Sequence, residues 1–393
     1  MVFMRRGGII NGMTLRRIFL ASLPSVFALI IFGFGFVTGR YQAARSLRRQ
    51  IADFSRSETL GRMIAKEEIA DYASAYENPA SATREMNHFS YAVPNVFTPF
   101  VGSGPEPGQH DNAFINSMQF RSTKEVAMPK PSGVYRIFVT GGSTAFGSGA
   151  PSQDKIIGQY LENLLNAEPT PATLQRYEVF TLASPAWTST HERIIIENRL
   201  SELAPDMVVA VSGSNDVHWA GAGRDIFWLR TYSDQHFWDL INAARSLAGF
   251  HSMTDVVPAP NPVDPVTVAA RLEKNIRLSQ AALASKGARY VFVLQPALAL
   301  ASKPLSSREQ KLRARLLPVA LENFVSSYRE IKSRLPSIRD DHFLSVDASD
   351  AFAGLTAADE IFLDSYHFGD RGNAIVARKI AEAIRPLLSQ NPP

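Results

Sequence analysis

The chain has 393 residues, 45% of them apolar and 20% charged, which fits a folded protein with a sizeable core and excludes wholesale disorder or a polytopic membrane protein. Its formal charge of +4 belongs to the N-terminus: eight arginines and no acid precede Gln50, so the remainder carries about −4 and offers no electrostatic footprint for nucleic acid. There is no cysteine, which removes disulfides, thiolate metal sites and cysteine nucleophiles together.

The first 17 residues form a basic tail. From Ile18 to Val37 the run IFLASLPSVFALIIFGFGFV carries no charge and matches the roughly 20 residues that a bilayer-spanning helix needs. A cleaved signal peptide would have an apolar stretch of about 7–15 residues and a small-residue cleavage site, whereas this run is longer and continues into Thr-Gly-Arg-Tyr. A transmembrane helix over 18–38 is therefore expected. Arginines flank both of its ends, so the charge rule is nearly balanced. The usual signal-anchor arrangement then gives a single-pass inner (plasma) membrane protein with its large domain on the periplasmic side.

Residues 39–133 read as a helical stalk followed by an extended strap. Tyr41 to about Glu77 has helical spacing and no proline, and Asn78 to Gly133 is rich in Pro, Gly, Asn and Ser. The aromatics Phe89, Tyr91, Phe97, Phe100, Phe114 and Phe120 argue for a strap packed on the domain.

From 134 to 393 short apolar segments alternate with helical ones. YRIFVT, YEVFTLA, MVVAVS, RYVFVLQP and HFLSVDA read as strands. Helices are expected over about Gln153–Ala167, Thr188–Leu203, Asp264–Lys286, Ser307–Leu335 and Asp370–Leu388, with a long polar and aromatic insertion between the third strand and Pro262. This alternation implies an α/β domain, a parallel sheet covered on both faces in a three-layer α/β/α arrangement. Trp219, Phe227, Trp228, Phe237 and Trp238 in the insertion are candidates for core or for a wall of a substrate cleft.

In such sheets ligands lie beyond the carboxyl ends of the strands. The first strand runs into Gly141-Gly142-Ser143, the second into Ala183-Ser184-Pro185-Ala186, the third into Gly213-Ser214-Asn215-Asp216, and the loop after the last carries Asp364-Ser365-Tyr366-His367. These are the parts of a serine acyl-transfer site. A hydroxyl on a tight Gly-Gly turn sits among backbone N–H groups, a histidine can act as general base, and a carboxylate three residues before it can fix its tautomer. A histidine base implies an activity that falls on acidification.

These blocks resemble those of the SGNH (GDSL-like) hydrolase superfamily, of the membrane-anchored bacterial type. The family's GDS block appears as Gly141-Gly142-Ser143, its GxND block as Gly213–Asp216 and its DxxH block as Asp364–His367, and the resemblance covers about Tyr135 to Leu388. It implies a flavodoxin-like SGNH hydrolase fold with Ser143 as nucleophile, His367 as base and Asp364 behind it. The oxyanion hole would be the backbone N–H groups of Ser143 and Ala183 with the amide of Asn215. The second block departs from the family: where Asn-x-Gly-x-x-Gly is usual, Thr181-Leu182-Ala183-Ser184-Pro185-Ala186 puts alanines at both glycines. No cofactor is expected, and the other histidines (His88, His110, His191, His218, His236, His251, His342) show no metal-ligand spacing.

Other readings compete. The 140–147 turn and Tyr328/Lys332 partly match a short-chain dehydrogenase, but Ala145 replaces a glycine needed for close pyrophosphate approach and no acid closes the second strand. Gly141-x-Ser143-x-Ala145 nearly makes an α/β-hydrolase elbow, yet that elbow should follow several strands and this one follows the first. The expected function is a serine esterase that removes O-acyl groups, acetyl among them, from envelope glycans or lipids, with the membrane reached through the N-terminal helix. The alternatives are an acyltransferase using the same site, or a catalytically silent SGNH-like binding module.

Overall fold

A computed structural model of the chain describes residues 12–55, 59–169, 174–223, 232–253, 261–338 and 340–390. Residues 55–238 and 254–393 belong to one compact unit, and residues 1–54 and 239–253 to another.

All five expected strands form: β1 Val134–Gly141, β2 Arg176–Ala183, β3 Met207–Ser212, β4 Arg289–Leu294 and β5 Phe343–Asp347. They pair in the order β2-β1-β3-β4-β5, every neighbour parallel. This is the flavodoxin-like doubly wound order, whose switch point lies between β1 and β3.

Alternation along each strand feeds two cores. Ile137, Val139, Val209, Val211, Val291 and Val293 face one side and pack with Leu161, Val376 and Ile380. Phe138, Phe180, Val208 and Phe292 face the other and pack with Ile195, Leu272, Ile276 and Tyr328. Burial on both faces explains why the strands read as continuous apolar runs. The helices packed around this sheet include α1 Ser143–Phe146, α2 Ile157–Asn166, α3 Ser189–Asn198, α4 Ser214–Gly221, α5 Pro265–Ala284, α6 Ser307–Ala314, α7 Pro318–Arg334 and α8 Asp370–Gln390. Their starts carry the expected caps: Asp264 accepts from the N–H of Thr267 ahead of α5, and Ser306 forms a capping box with Glu309 ahead of α6.

Several expectations change. The helix expected over Ser307–Leu335 is two, α6 and α7, because Pro318 starts a new helix and cannot continue an old one. The helix expected over Thr188–Leu203 ends at Asn198 and passes into a 3₁₀ turn at Leu200–Glu202. The polar and aromatic insertion after β3 opens with α4, which bears the half-buried Trp219, and contains a helix at Tyr232–Leu247, which bears Phe237 and Trp238. Phe227 and Trp228 lie outside the described residues.

The apolar N-terminal run sits inside one helix, Gly12–Ser55, that passes Pro24 and continues through the first part of the expected stalk. Its Leu20–Arg49 portion reaches a mean hydropathy of 2.2 and is long and apolar enough to cross a membrane by length and composition. Phe32 and Phe34 there are more than 70% exposed. Beyond Leu60 the expected stalk is not a stalk. It breaks into short helices, and Leu60, Ile64, Tyr72 and Tyr76 join the core. Apolar residues at helical spacing are compatible with either outcome, and packing decides. The strap is also core in part: Phe89, Tyr91 and Phe120 are buried, whereas Phe97 and Phe100 are exposed.

Candidate functional site

Because every strand of the sheet points the same way, the loops after β1, β2 and β3 meet at one rim, at the switch point. β1 ends at Gly141, and Gly142 caps the single helical turn α1 that begins with Ser143. Glycine at 142 is required by proximity: a Cβ there would lie 2.3 Å from the amide nitrogen of Asn215. The chain therefore brings the Ser143 turn and the head of α4 closer than any side chain at 142 would permit.

The loop ahead of α8 completes the arrangement. His367 Nε2 lies 2.7 Å from Ser143 Oγ, and His367 Nδ1 lies 2.7 Å from Asp364 Oδ2. The other carboxylate oxygen, Oδ1, accepts the backbone N–H groups of Tyr366 and His367, each at 2.8 Å. Burial alone would push the Asp364 carboxyl up. The charge and hydrogen bond of His367, with the two backbone N–H donors, outweigh it and hold the carboxyl at about 2. Asp364 is thus held as an anion at neutral pH. Ser143 is half-exposed, so its hydroxyl can be reached.

Two strap residues outside the expected catalytic set meet this rim. Tyr91 donates its hydroxyl proton to Asp364 Oδ2 at 2.8 Å, and its ring sits edge-on to His367 with centroids 4.6 Å apart. Burial, and then the charge of Asp364 and the bond to it, push the Tyr91 phenol far up, so it stays a donor. Arg121 is completely buried. It donates to the carbonyls of Phe146 and Gly147, both at 3.1 Å, and to that of Asn112 at 2.8 Å, with its guanidinium over the Phe146 ring. It therefore fastens the far end of the turn that carries Ser143, where carbonyls lack helical partners. Burial brings its guanidinium down to about 9, still cationic at neutral pH. Ser148, just beyond that turn, donates to the Tyr91 carbonyl and ties the strap to α1.

Asn215 and Ala183, the two remaining expected site residues, are placed differently. Asn215 Nδ2 donates to the Trp187 carbonyl at 2.7 Å. An amide nitrogen carries two protons, so this bond orients the group and leaves the second for a ligand. Ala183 is the last residue of β2, buried and paired with Gly141 in the ladder. The backbone departs from extended geometry three residues later, where Ala186 has φ 69°, a left-handed conformation that favours glycine. The second block thus keeps a glycine-type bend with an alanine in it. Ala186→Gly should raise the thermal unfolding midpoint by the equivalent of about 0.5–1 kcal/mol, the strain relieved less the added chain entropy. A lowered midpoint would mean that the methyl group's packing outweighs the strain.

The dehydrogenase reading loses its residues. Tyr328 is buried in the sheet's second core and donates to the Gln295 carbonyl, while Lys332 pairs with Asp347 at 2.9 Å. Ser143 follows the first strand of the sheet, as the argument against an α/β-hydrolase elbow anticipated. Among the described residues no group of three or more His, Asp or Glu side chains could hold a metal ion.

No protein-family model matches the chain, and no curated protein matches it. Solved structures do. The acetylxylan esterase Axe2 from Geobacillus stearothermophilus is 15% identical over 64% of this chain and 94% of its own, with a TM-score of 0.37. The acetyl xylan esterase AlAXEase is 14% identical over 63% of this chain and 99% of its own, TM-score 0.37. TesA is 14% identical over 64% and 99%, TM-score 0.36.

Proposed function

We propose that the protein is a serine esterase of the SGNH type that works through an acyl-enzyme. The observation that carries this reading is the unbroken Asp364–His367–Ser143 chain of two 2.7 Å contacts at the switch point of the sheet. Ser143 Oγ attacks the ester carbonyl as its proton passes to His367 Nε2, and the imidazolium is stabilised by Asp364. The oxyanion is held by the free N–H of Asn215 and by backbone N–H groups at Ser143 and in the second block, Ala183 or the bent Ala186. His367 then protonates the departing alkoxide, and water, deprotonated by the same nitrogen, releases the acid.

The substrates we infer are O-acyl groups on envelope glycans or lipids. In this reading the N-terminal helix anchors the chain in the inner membrane and the hydrolase faces the periplasm. If a sugar hydroxyl replaces water in the second step, the same atoms make an acyltransferase. The test is fluorophosphonate labelling of the full-length protein with mass-spectrometric mapping. Label on Ser143, absent in Ser143→Ala, supports the reading; a folded, unlabelled protein that also turns over no ester assigns the fold to a binding module.

Tyr91 enters as a positioning residue. Tyr91→Phe removes one hydrogen bond to an anion and keeps the ring against His367, so kcat should fall about tenfold with KM unchanged. An Asp364 relieved of one donor holds the imidazolium more strongly, so the acid limb of the pH–rate profile should move upward. A kcat within twofold of the parent and an unmoved limb would show the bond to be idle.

A further inference from the structure

We propose that the cavity between α4 and α7 is the subsite for the acyl chain, and that the ester hydrolysed carries a medium-length or longer fatty acyl group. This rests on the serine-esterase reading above and specifies its substrate. The cavity has a volume of about 470 Å³ and is walled by Val217, Leu316, Leu321, Phe324 and Tyr366. That is within the size range of ligand pockets, and an acetyl group would leave it almost empty.

Its place in the fold ties it to the chemistry. Tyr366, which forms one wall, directly precedes His367, and its carbonyl accepts a 3.5 Å hydrogen bond from Thr144, the neighbour of Ser143. Val217 and His218 follow Asn215 in α4, so the same turn that offers the amide donor offers the first wall residues. The cavity thus adjoins both the loop that carries His367 and the helix that carries Asn215.

The lining favours hydrocarbon over sugar. A buried glycan needs partners for its hydroxyls, since each one left unpaired is costly. Two of its few polar side chains are already engaged with the protein: His218 Nδ1 meets the Tyr366 hydroxyl at 2.9 Å, and the Asp264 carboxylate caps α5 through the N–H and hydroxyl of Thr267, at 3.0 and 2.6 Å; the Asn323 amide and the Ser365 hydroxyl complete the polar part of the wall, too few groups to partner a buried sugar. At the α6–α7 junction Leu317 and Val319, both about 70% exposed, extend the apolar lining outward. Each buried methylene contributes about fourfold in binding, so a chain of several carbons gains what an acetyl group cannot.

The experiment uses the full chain in lipid nanodiscs with p-nitrophenyl acetate, butyrate and octanoate. We expect kcat/KM to rise at least on the order of a hundred-fold from acetate to octanoate, the gain that burying about three to four of the six added methylenes would give. Ala222 and Ala320 line the cavity and are exposed, so Ala222→Trp and Ala320→Trp should fill it without disturbing the core. Both should abolish the octanoate preference while leaving acetate hydrolysis within about threefold. Calorimetric binding of octanoate to Ser143→Ala gives a readout that needs no turnover, and either tryptophan, added to that variant, should remove it. A flat chain-length profile with Ser143-dependent acetate turnover would overturn the acyl-chain assignment and leave the esterase reading standing. Octanoate binding that the tryptophans abolish, in a protein with no Ser143-dependent turnover, would do the reverse. With neither, both fall.

Discussion

Ser143→Ala should lower kcat for a p-nitrophenyl ester by on the order of 10⁴–10⁶ while leaving the thermal midpoint within about 2 °C. The two halves follow from the same geometry. Ser143 Oγ makes its side-chain contact with His367 Nε2 at 2.7 Å and is half-exposed, so its loss strands no buried donor and opens no cavity. The loss of rate is large because, in the proposed mechanism, the hydroxyl is the atom that forms the acyl bond. His367→Ala should cost nearly as much, and the double variant no more than the worse single, since in the proposed mechanism base and nucleophile act in one step. What remains above the uncatalysed rate would come from Asn215 and the backbone donors. Additive losses would mean that the 2.7 Å contact is not the proton path. A Ser143→Ala protein retaining a tenth of the activity would remove Ser143 from the chemistry altogether.

Much of this site was legible because a parallel sheet obeys a simple rule. Once YRIFVT, YEVFTLA, MVVAVS and HFLSVDA are recognised as strands, the residues after each are known to share one rim, whatever their separation in sequence. Ser143, Asn215 and the Asp364/His367 pair were found that way, and β2-β1-β3-β4-β5 is the order that brings them together. What the rule cannot reach is the segment ahead of the sheet. Tyr91 lies 273 residues from the Asp364 it bonds, in a stretch whose prolines and glycines signal turns and extended chain but not what it packs against, and which in fact opens with a short helix at Pro79–Glu85. Arg121 reads as a surface charge because arginines are seldom buried, yet here carbonyl groups replace a counter-ion. Past Leu60 the core helices read as a stalk because spacing tells which face of a helix is apolar and not what covers it. Pro318 is a readable helix start set within an otherwise continuous helical pattern. The bend at Ala186 was hidden because an alanine stands where the usual cue, a glycine, would have marked it.

Asp364→Asn tests the other end of the relay, and its effect can be derived atom by atom. In the parent, Oδ1 accepts two backbone N–H groups and Oδ2 faces both His367 Nδ1 and the Tyr91 hydroxyl. An asparagine has one oxygen and one NH₂ group to share between those places. The backbone N–H groups cannot accept, so the oxygen must take the Oδ1 position and the NH₂ group must face His367. Nδ1 then has to act as acceptor, the imidazole proton moves to Nε2, and the nitrogen that should take the proton of Ser143 already carries one. The expected loss in kcat is on the order of 10⁴ with the fold intact, the size that a wrong tautomer produces in a triad. The same substitution has a thermodynamic signature. The Asp364 carboxyl is held at about 2, below its unfolded value of about 3.9, so its contribution to stability is fully present above about pH 4 and is lost as the pH falls toward 2. Asp364→Asn should therefore be less stable than the parent at neutral pH, with the gap closing between about pH 4 and pH 2. A gap unchanged across that window would place the ionised carboxylate outside the network, and activity within tenfold of the parent would show that His367 does not depend on Asp364 for its tautomer.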